Sequence, residues 1–495
     1  MQLRCVVHSA AIVGVRAVPV DVEVSVGSGL PGMSIVGMPD VAVRESRERV
    51  RLAIRACGFD MPADKIVVNL APSSLRKAGT GFDLPIAAGI LGATGQVDAA
   101  RLGEILWVGE LSLGGDVRPV PGTLPYAACA RDMGLSLAAA SDADDSAPLA
   151  GVRQWRVRAL SDLRMMEFSP RSFPPAHSNP PEVDFADVRG QALAKRALQV
   201  AAAGGHGILL MGPPGSGKTM LARALPSILP PLSEEDRLEA AMIHSVAGEP
   251  VDAILAGERP FRRLHHSTTI AGLVGGGSPV RPGEITLAHA GVLFLDELPE
   301  FSPSALQALR QPMEQGRILI TRADGSVEMP SRFALVAAAN PCPCGYYGDP
   351  QHSCTCPSWR VERYRARIGG PLLDRIDMHV DVWRGDPADI LHGSDAAEVS
   401  SAELLRGVML AREFASWREA ALGDTRAMDA QSLLARCRMD AATSDMLEGM
   451  ARANMLSGRG IVRVMSIART VADLAESKAV ERDHLLEAVG LRIRG

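Results

Sequence analysis

The chain has 495 residues, 47% of them apolar and 22% charged, a composition that fits a folded protein of more than one domain and excludes the disordered and fibrous classes. Its 52 basic and 57 acidic residues leave a formal charge of −5, so no overall positive field marks it for nucleic acid and any such contact must come from local clusters. No stretch reaches the roughly 18 uninterrupted apolar residues of a membrane helix, and eight cysteines without an apolar leader lead us to expect a reducing, cytoplasmic setting with no membrane partner.

Residues 1–165 are expected to form an α+β domain, because β-rich runs at 18–26 and 65–70 alternate with helical patterns at 41–57 and 83–94. Residues 166–183 follow as an expected linker. Pro170, Pro174, Pro175, Pro180 and Pro181 lie in it, and such spacing disfavours regular structure and predicts a stiff, extended spacer.

Residues 184–386 read as an α/β core with a parallel sheet, since their clearest strands are continuous apolar runs at 208–211, 292–295 and 333–338. The first run leads into Gly212, Pro213, Pro214, Gly215, Ser216, Gly217, Lys218 and Thr219, with Met220 opening a helical pattern. This spacing makes a phosphate-binding loop: glycines let successive N–H groups wrap a polyphosphate, Lys218 reaches the β- and γ-phosphates, and Thr219 ligates Mg²⁺. The second run ends in Asp296 and Glu297. Asp296 can hold the same Mg²⁺ and Glu297 can serve as the base that orients water, so ATP and Mg²⁺ are the expected cofactors. The third run ends in Asn340, a neutral polar group placed to orient the attacking water, although Asn before Pro341 also forms simple turns.

Weaker signals lie between and after these runs. His265 and His266 sit in a Gly-rich stretch, where adjacent side chains point in different directions and disfavour a shared metal. Residues 317–328 read as a β-hairpin turning at Asp324 and Gly325, with Arg322 near its tip. Cys342, Cys344, Cys354 and Cys356 form two close pairs; four thiolates suit zinc, His352 could replace one of them, and free thiols are the alternative, because pairs separated by a single residue are tighter than usual. Arg360, Arg363, Arg365 and Arg367 interleave with Trp359 and Tyr364, a pattern that suits nucleic-acid strands through charge and stacking, or equally a solvated helix face or a subunit interface.

Residues 387–495 are expected to be a small all-helical lid, with patterns at 402–414, 441–455, 462–477 and 482–491.

Together these motifs resemble AAA+ ATPases of the magnesium-chelatase-like branch. In that likeness Asn340 matches the first sensor, Arg375 matches the arginine finger that acts on a neighbouring subunit's nucleotide, and Arg459, with Arg463 as its rival, matches the second sensor. An ion pair of Arg375 with Asp374 or Asp377 is the alternative to a finger. Residues 264–277, 282–289, 298–301 and 340–348 narrow the resemblance to the ComM/YifB family. The resemblance implies a hexameric, DNA-dependent ATPase that drives branch migration in recombination and natural transformation. It also implies that the Gly-rich stretch carrying His265 and His266 is the helix-2 insertion that projects into the ring pore and that 317–328 stands in the place of the pre-sensor 1 hairpin, the two loops either contacting DNA or only packing against a neighbouring subunit. The N-terminal domain resembles the Lon-protease type, with Ile86 in the place of the nucleophilic serine and Leu124 near that of the lysine. No Ser–Lys pair can form, so a scaffold or DNA-guiding role is expected. A magnesium-chelatase activity, or a protein-remodelling ATPase without action on DNA, are the alternatives.

Overall fold

The computed structural model describes residues 3–140, 146–173, 176–178, 182–277, 279–322, 325–385, 398–420 and 430–492. An eight-stranded mixed sheet organises the N-terminal part. Strands Leu3–Val13 and Arg16–Gly27 form its long antiparallel hairpin, with Gly14 at φ +65° in the turn. The period of two buries Val20, Val22, Val24 and Val26 on one face. On that face lies helix Asp83–Ala93, whose residues are all buried. It approaches so closely that a Cβ at Gly89 would stand 2.5 Å from Val24 Cγ2. Ile86 is packed in this core, whereas Leu124 belongs to a different cluster with Leu232, Ala240 and Val251.

The expected linker begins differently from its proline content. Ser169–Pro170 pairs antiparallel with strand Gln154–Val157, and the Arg171 N–H donates to the Gln154 carbonyl at 2.9 Å. The ring of Phe168 meets Trp107 edge-on at 5.6 Å. An edge strand bonds on one side only and so tolerates Pro170. Residues 166–171 therefore close the N-terminal sheet rather than span away from it.

The second sheet has five parallel strands in the order Phe261–Leu264, Val292–Leu295, Ala334–Ala339, Ile208–Met211 and Met378–Asp381. The strand that comes first in the chain thus lies inside the sheet, with later strands on both sides. Such a reversal of strand order opens a crevice at the carboxyl ends of the strands, which is where α/β sheets take their ligands. Hairpin strands Arg317–Arg322 and Gly325–Pro330 pair antiparallel and bury Ile318, Ile320 and Met329. The Arg322 side chain and the expected turn at Asp324 lie outside the described residues.

After Asp381 the described residues contain helices and no strand. These are Ser401–Ala420, Ala430–Cys437, Ala441–Ala453, Gly458–Leu474 and Arg482–Arg492. The fourth starts before the expected residue 462 because Ser457 caps it, its hydroxyl accepting from the Gly460 N–H. The expected boundary at Asp386 lies outside the described residues. This helical part shares one apolar cluster with Ile208 and Leu210 of the core sheet, through Val464, Ile467 and Leu485 among others. The N-terminal part docks on the other flank. Gly122 N–H donates to the Ser245 carbonyl at 2.8 Å, Leu124 N–H donates to Ser245 Oγ at 3.1 Å, and Val15 enters the cluster of Leu264, Leu273 and Ile320. No helix among the described residues is long and apolar enough to cross a membrane.

Candidate nucleotide site

The loop after strand Ile208–Met211 is shaped by its glycines. A Cβ at Gly212 would lie 1.9 Å from the Val382 carbonyl oxygen, so no side chain fits there. Gly215 and Gly217 take φ values of +76° and +89°, which L side chains rarely adopt. Pro213 and Ser216 are buried beneath the loop, Pro214 and Gly215 form its exposed tip, and Met220 is exposed in the first turn of helix Lys218–Ala224. Lys218 Nζ donates to the carbonyls of Gly212 and Pro213, both at 2.8 Å, and to Asn340 Oδ1 at 3.3 Å. Burial pulls this amine down to about 8, against the attraction of Asp296.

Strand Val292–Leu295 carries the two acids to the same crevice. Thr219 Oγ1 donates to Asp296 Oδ2 at 3.2 Å. Neighbouring oxygens on an octahedral Mg²⁺ lie about 3 Å apart, so this donor set fits the metal expected from the motif. Glu297 sits at φ +54°, exposed, with its backbone N–H donating to Asp296 Oδ1 at 3.1 Å. Two neighbours were not legible as site residues. Arg263 pairs with Asp296 Oδ2 at 3.0 Å, and His266 Nδ1 lies 3.5 Å from Glu297 Oε2. Both come from the adjacent strand and the turn after it. The histidine rings do not diverge as expected: those of His265 and His266 pack at 4.0 Å, and His266 is placed beside Glu297. That turn is therefore part of the crevice wall.

The arginines form a second cluster. Arg375 reaches Glu314 Oε1 at 2.7 Å and the Pro371 carbonyl at 2.6 Å, and Arg459 reaches the same Glu314 oxygen at 3.0 Å. The expected alternative pairing of Arg375 with Asp374 or Asp377 is not the arrangement found. Asp374 instead lies 3.8 Å from Arg459, and Asp377 pairs with Arg463 at 2.5 Å. Burial works against charge on Asp377, but its bonds with His206, Arg463 and the Gly207 N–H hold its carboxyl below the usual range. Arg463 is thus committed to the junction of sheet and helices, whereas Arg459 shares Glu314 with Arg375.

Beyond Asn340 the chain folds back over the loop. Arg384 donates to the Pro214 carbonyl at 3.1 Å, and Gln191 donates to the Ser216 carbonyl at 3.4 Å. Both residues come from distant segments and carry no local signal. The basic run lies on helix Ser358–Ala366. Trp359, Arg360, Arg363, Arg365 and Arg367 are exposed, with Arg365 stacked at 4.7 Å on Tyr347 and Arg367 paired with Glu300 at 3.4 Å, whereas Tyr364 is buried. All four arginines of the run therefore face outward, but of its two aromatic rings Trp359 alone is open for a base to stack on. The sulfurs of Cys342, Cys344, Cys354 and Cys356 come together within 4.8 Å of one another. His352 stands apart, stacked at 5.1 Å on Tyr346.

Comparison with known proteins agrees with this geometry. The family model of magnesium chelatase subunit ChlI matches residues 184–390, a model of subunit ChlI of Mg-chelatase matches 22–141, and the ChlI C-terminal model matches 398–492. Protein YifB of Escherichia coli is 41% identical over 493 residues, covering 98% of this chain and 96% of that protein. Competence protein ComM of Haemophilus influenzae is 38% identical over 498 residues, covering 98% and 97%. The magnesium-chelatase 67 kDa subunit of Chlorobaculum parvum is 31% identical over 170 residues, covering 32% of this chain and 23% of that one. A phosphate-loop strand inside a parallel sheet, two acids at the end of strand Val292–Leu295 and full-length similarity to these proteins place the chain in the ComM/YifB family of magnesium-chelatase-like AAA+ proteins.

Proposed function

We propose that this protein is an ATPase that converts hydrolysis into movement on DNA. The observation that carries the ATPase reading is the convergence of Lys218, Thr219, Asp296, Glu297 and Asn340 on one crevice. Lys218 and the loop N–H groups hold the polyphosphate, Thr219 and Asp296 hold Mg²⁺, Glu297 takes the proton of the attacking water, and Asn340 orients it. Mg²⁺ bound there would neutralise charge developing between the β- and γ-phosphates. Arg375 and Arg459 are held together by Glu314 rather than by the residues of this crevice, so both are read as serving the nucleotide of an adjacent copy in a closed ring, a hexamer by family likeness.

DNA as the partner is supported by similarity to a competence protein over nearly its whole length. The hairpin Arg317–Arg322 and Gly325–Pro330, the turn carrying His265, and the outward residues Trp359, Arg360 and Arg363 are the proposed contacts. The division into a Lon-like scaffold, an AAA+ core and a helical lid is proposed with the first boundary moved past Arg171. Zinc is the proposed third cofactor, at the cysteine cluster. The test measures ATP turnover with and without branched DNA, and junction migration, for the wild type, Glu297→Gln and Arg375→Ala. Stimulation by branched DNA and migration that both variants lose are expected; turnover indifferent to DNA, with no migration, would sink the DNA motor.

Lys218 gives this reading a pH dependence. Its amine sits near 8 without nucleotide because of burial, whereas a bound polyphosphate favours the ammonium form. Binding therefore takes up a proton once pH exceeds about 8, and affinity falls as pH rises beyond that, by up to roughly tenfold per unit, while staying flat below about 7. Calorimetric titration of the nucleotide at pH 8.5, in buffers of different ionisation enthalpy, should register this uptake. Wild-type binding without proton exchange at that pH would contradict it.

A further inference from the structure

The four-cysteine cluster takes no part in the chemistry above, yet it stands against the phosphate loop. Cys342 Sγ lies 3.3 Å from Cys344 Sγ and 3.7 Å from Cys354 Sγ, and Cys344 lies 3.6 Å from Cys354. A tetrahedral zinc ion with bonds of about 2.3 Å spaces its sulfurs about 3.8 Å apart, so the three measured edges already approximate that polyhedron. Cys342 is fully buried and the other three are partly buried. The Cys356 N–H donates to Cys354 Sγ at 3.4 Å, which orients one ligand. The single residue between paired cysteines, which made the spacing look too tight, is accommodated because each pair supplies one edge of the cluster.

What the cluster holds in place is the tip of the loop. Gly345, at φ +86°, lies between the two pairs, and a Cβ there would stand 2.5 Å from Pro214 Cδ. Tyr346 accepts from Arg384 at 3.4 Å and lies 5.3 Å beneath its guanidinium, while the same guanidinium donates to the Pro214 carbonyl at 3.1 and 3.3 Å. Pro214 is thus gripped between Gly345 and Arg384. At the other end of the segment, Cys342 follows Asn340 by two residues, and Asn340 accepts from Lys218 at 3.3 Å. The cysteine segment therefore touches the phosphate loop at both its tip and its lysine.

We propose that one zinc ion, bound by Cys342, Cys344, Cys354 and Cys356, braces the phosphate loop from outside, so that nucleotide affinity depends on bound zinc. This rests on the reading of residues 212–219 as the nucleotide site. The thiols bind as thiolates and release their protons to solvent. A braced loop has less freedom to lose when nucleotide arrives, and that is the source of the gain in affinity.

The experiment uses the full chain purified reduced and without chelator, with zinc measured by mass spectrometry and binding followed with a fluorescent ATP analogue. About one zinc per chain is expected in the wild type and in Lys218→Ala, and none in the double variant Cys354→Ser, Cys356→Ser. Stripping zinc from the reduced wild type with a chelator should weaken nucleotide binding on the order of tenfold, and added zinc should restore it without recourse to mutation. Arg384→Ala should keep zinc yet weaken binding, because the grip on Pro214 is lost. Less than about 0.1 zinc per wild-type chain, or equal affinity with and without zinc, would overturn the proposal. Lys218→Ala separates the two readings: unchanged nucleotide binding in that variant defeats the nucleotide site itself, whereas its loss with zinc retained leaves the brace to be judged on the chelation result.

Discussion

Glu297→Gln is expected to lower ATP turnover by about 10²–10⁴-fold while nucleotide affinity stays within a few-fold of the wild type, because the change removes a base and little else. The glutamine has the same size and still presents an oxygen to the water, but it cannot take the proton. The fold has no stake in the carboxylate: the side chain is exposed, and its side-chain ion pair is the half-exposed one with His266 at 3.5 Å. Asp296, by contrast, is held by Thr219 and Arg263, so Asp296→Asn should impair Mg²⁺ binding as well as turnover. The two acids are therefore separable. Steady-state turnover and binding of a fluorescent ATP analogue, with thermal unfolding as a control, make the comparison. Turnover of Glu297→Gln within a few-fold of the wild type would remove Glu297 from the role of base.

How much of this was legible in the sequence follows from how local each signal is. Strands Ile208–Met211 and Val292–Leu295 coincide with the apolar runs because a strand buried on both faces needs no polar alternation. The loop conformation at 212–219 was legible because it is local: Gly212, Gly215 and Gly217 lie on one short stretch whose backbone they permit. Ser169–Pro170 was misread because composition sees prolines and cannot see that an edge strand needs bonds on one side only. Arg263, Arg384 and Gln191 were missed because nothing near them in sequence marks them, and His266, marked by its Gly-rich stretch, was assigned to the pore rather than to Glu297; each is brought to the crevice by sheet order or by a fold-back. Glu314 is the same kind of residue. It stands 61 residues from Arg375 and 145 from Arg459, and only the packed structure shows that two arginines assigned separately by resemblance share one carboxylate.

Arg375→Ala is expected to reduce turnover by about 10³-fold or more, the range in which an arginine finger acts, with nucleotide affinity little changed because the arginine is held by Pro371 and Glu314 rather than by its own chain's phosphate loop. Its guanidinium is held by the Pro371 carbonyl and Glu314, and its side chain is 14% exposed. Replacement leaves Glu314 paired with Arg459, so the local charge stays balanced and the fold should survive. The decisive measurement mixes two inactive variants. A Glu297→Gln chain keeps an intact finger, and an Arg375→Ala chain keeps an intact base. If Arg375 acts on an adjacent copy, random mixed rings contain competent interfaces wherever the first chain's arginine meets the second chain's nucleotide, about a quarter of interfaces at equal amounts. Turnover should then rise well above that of either variant alone. If Arg375 serves its own chain, every chain in the mixture carries one of the two defects and mixing restores nothing, a result that would also withdraw Arg459 from a trans role, since both arginines hang from the same glutamate.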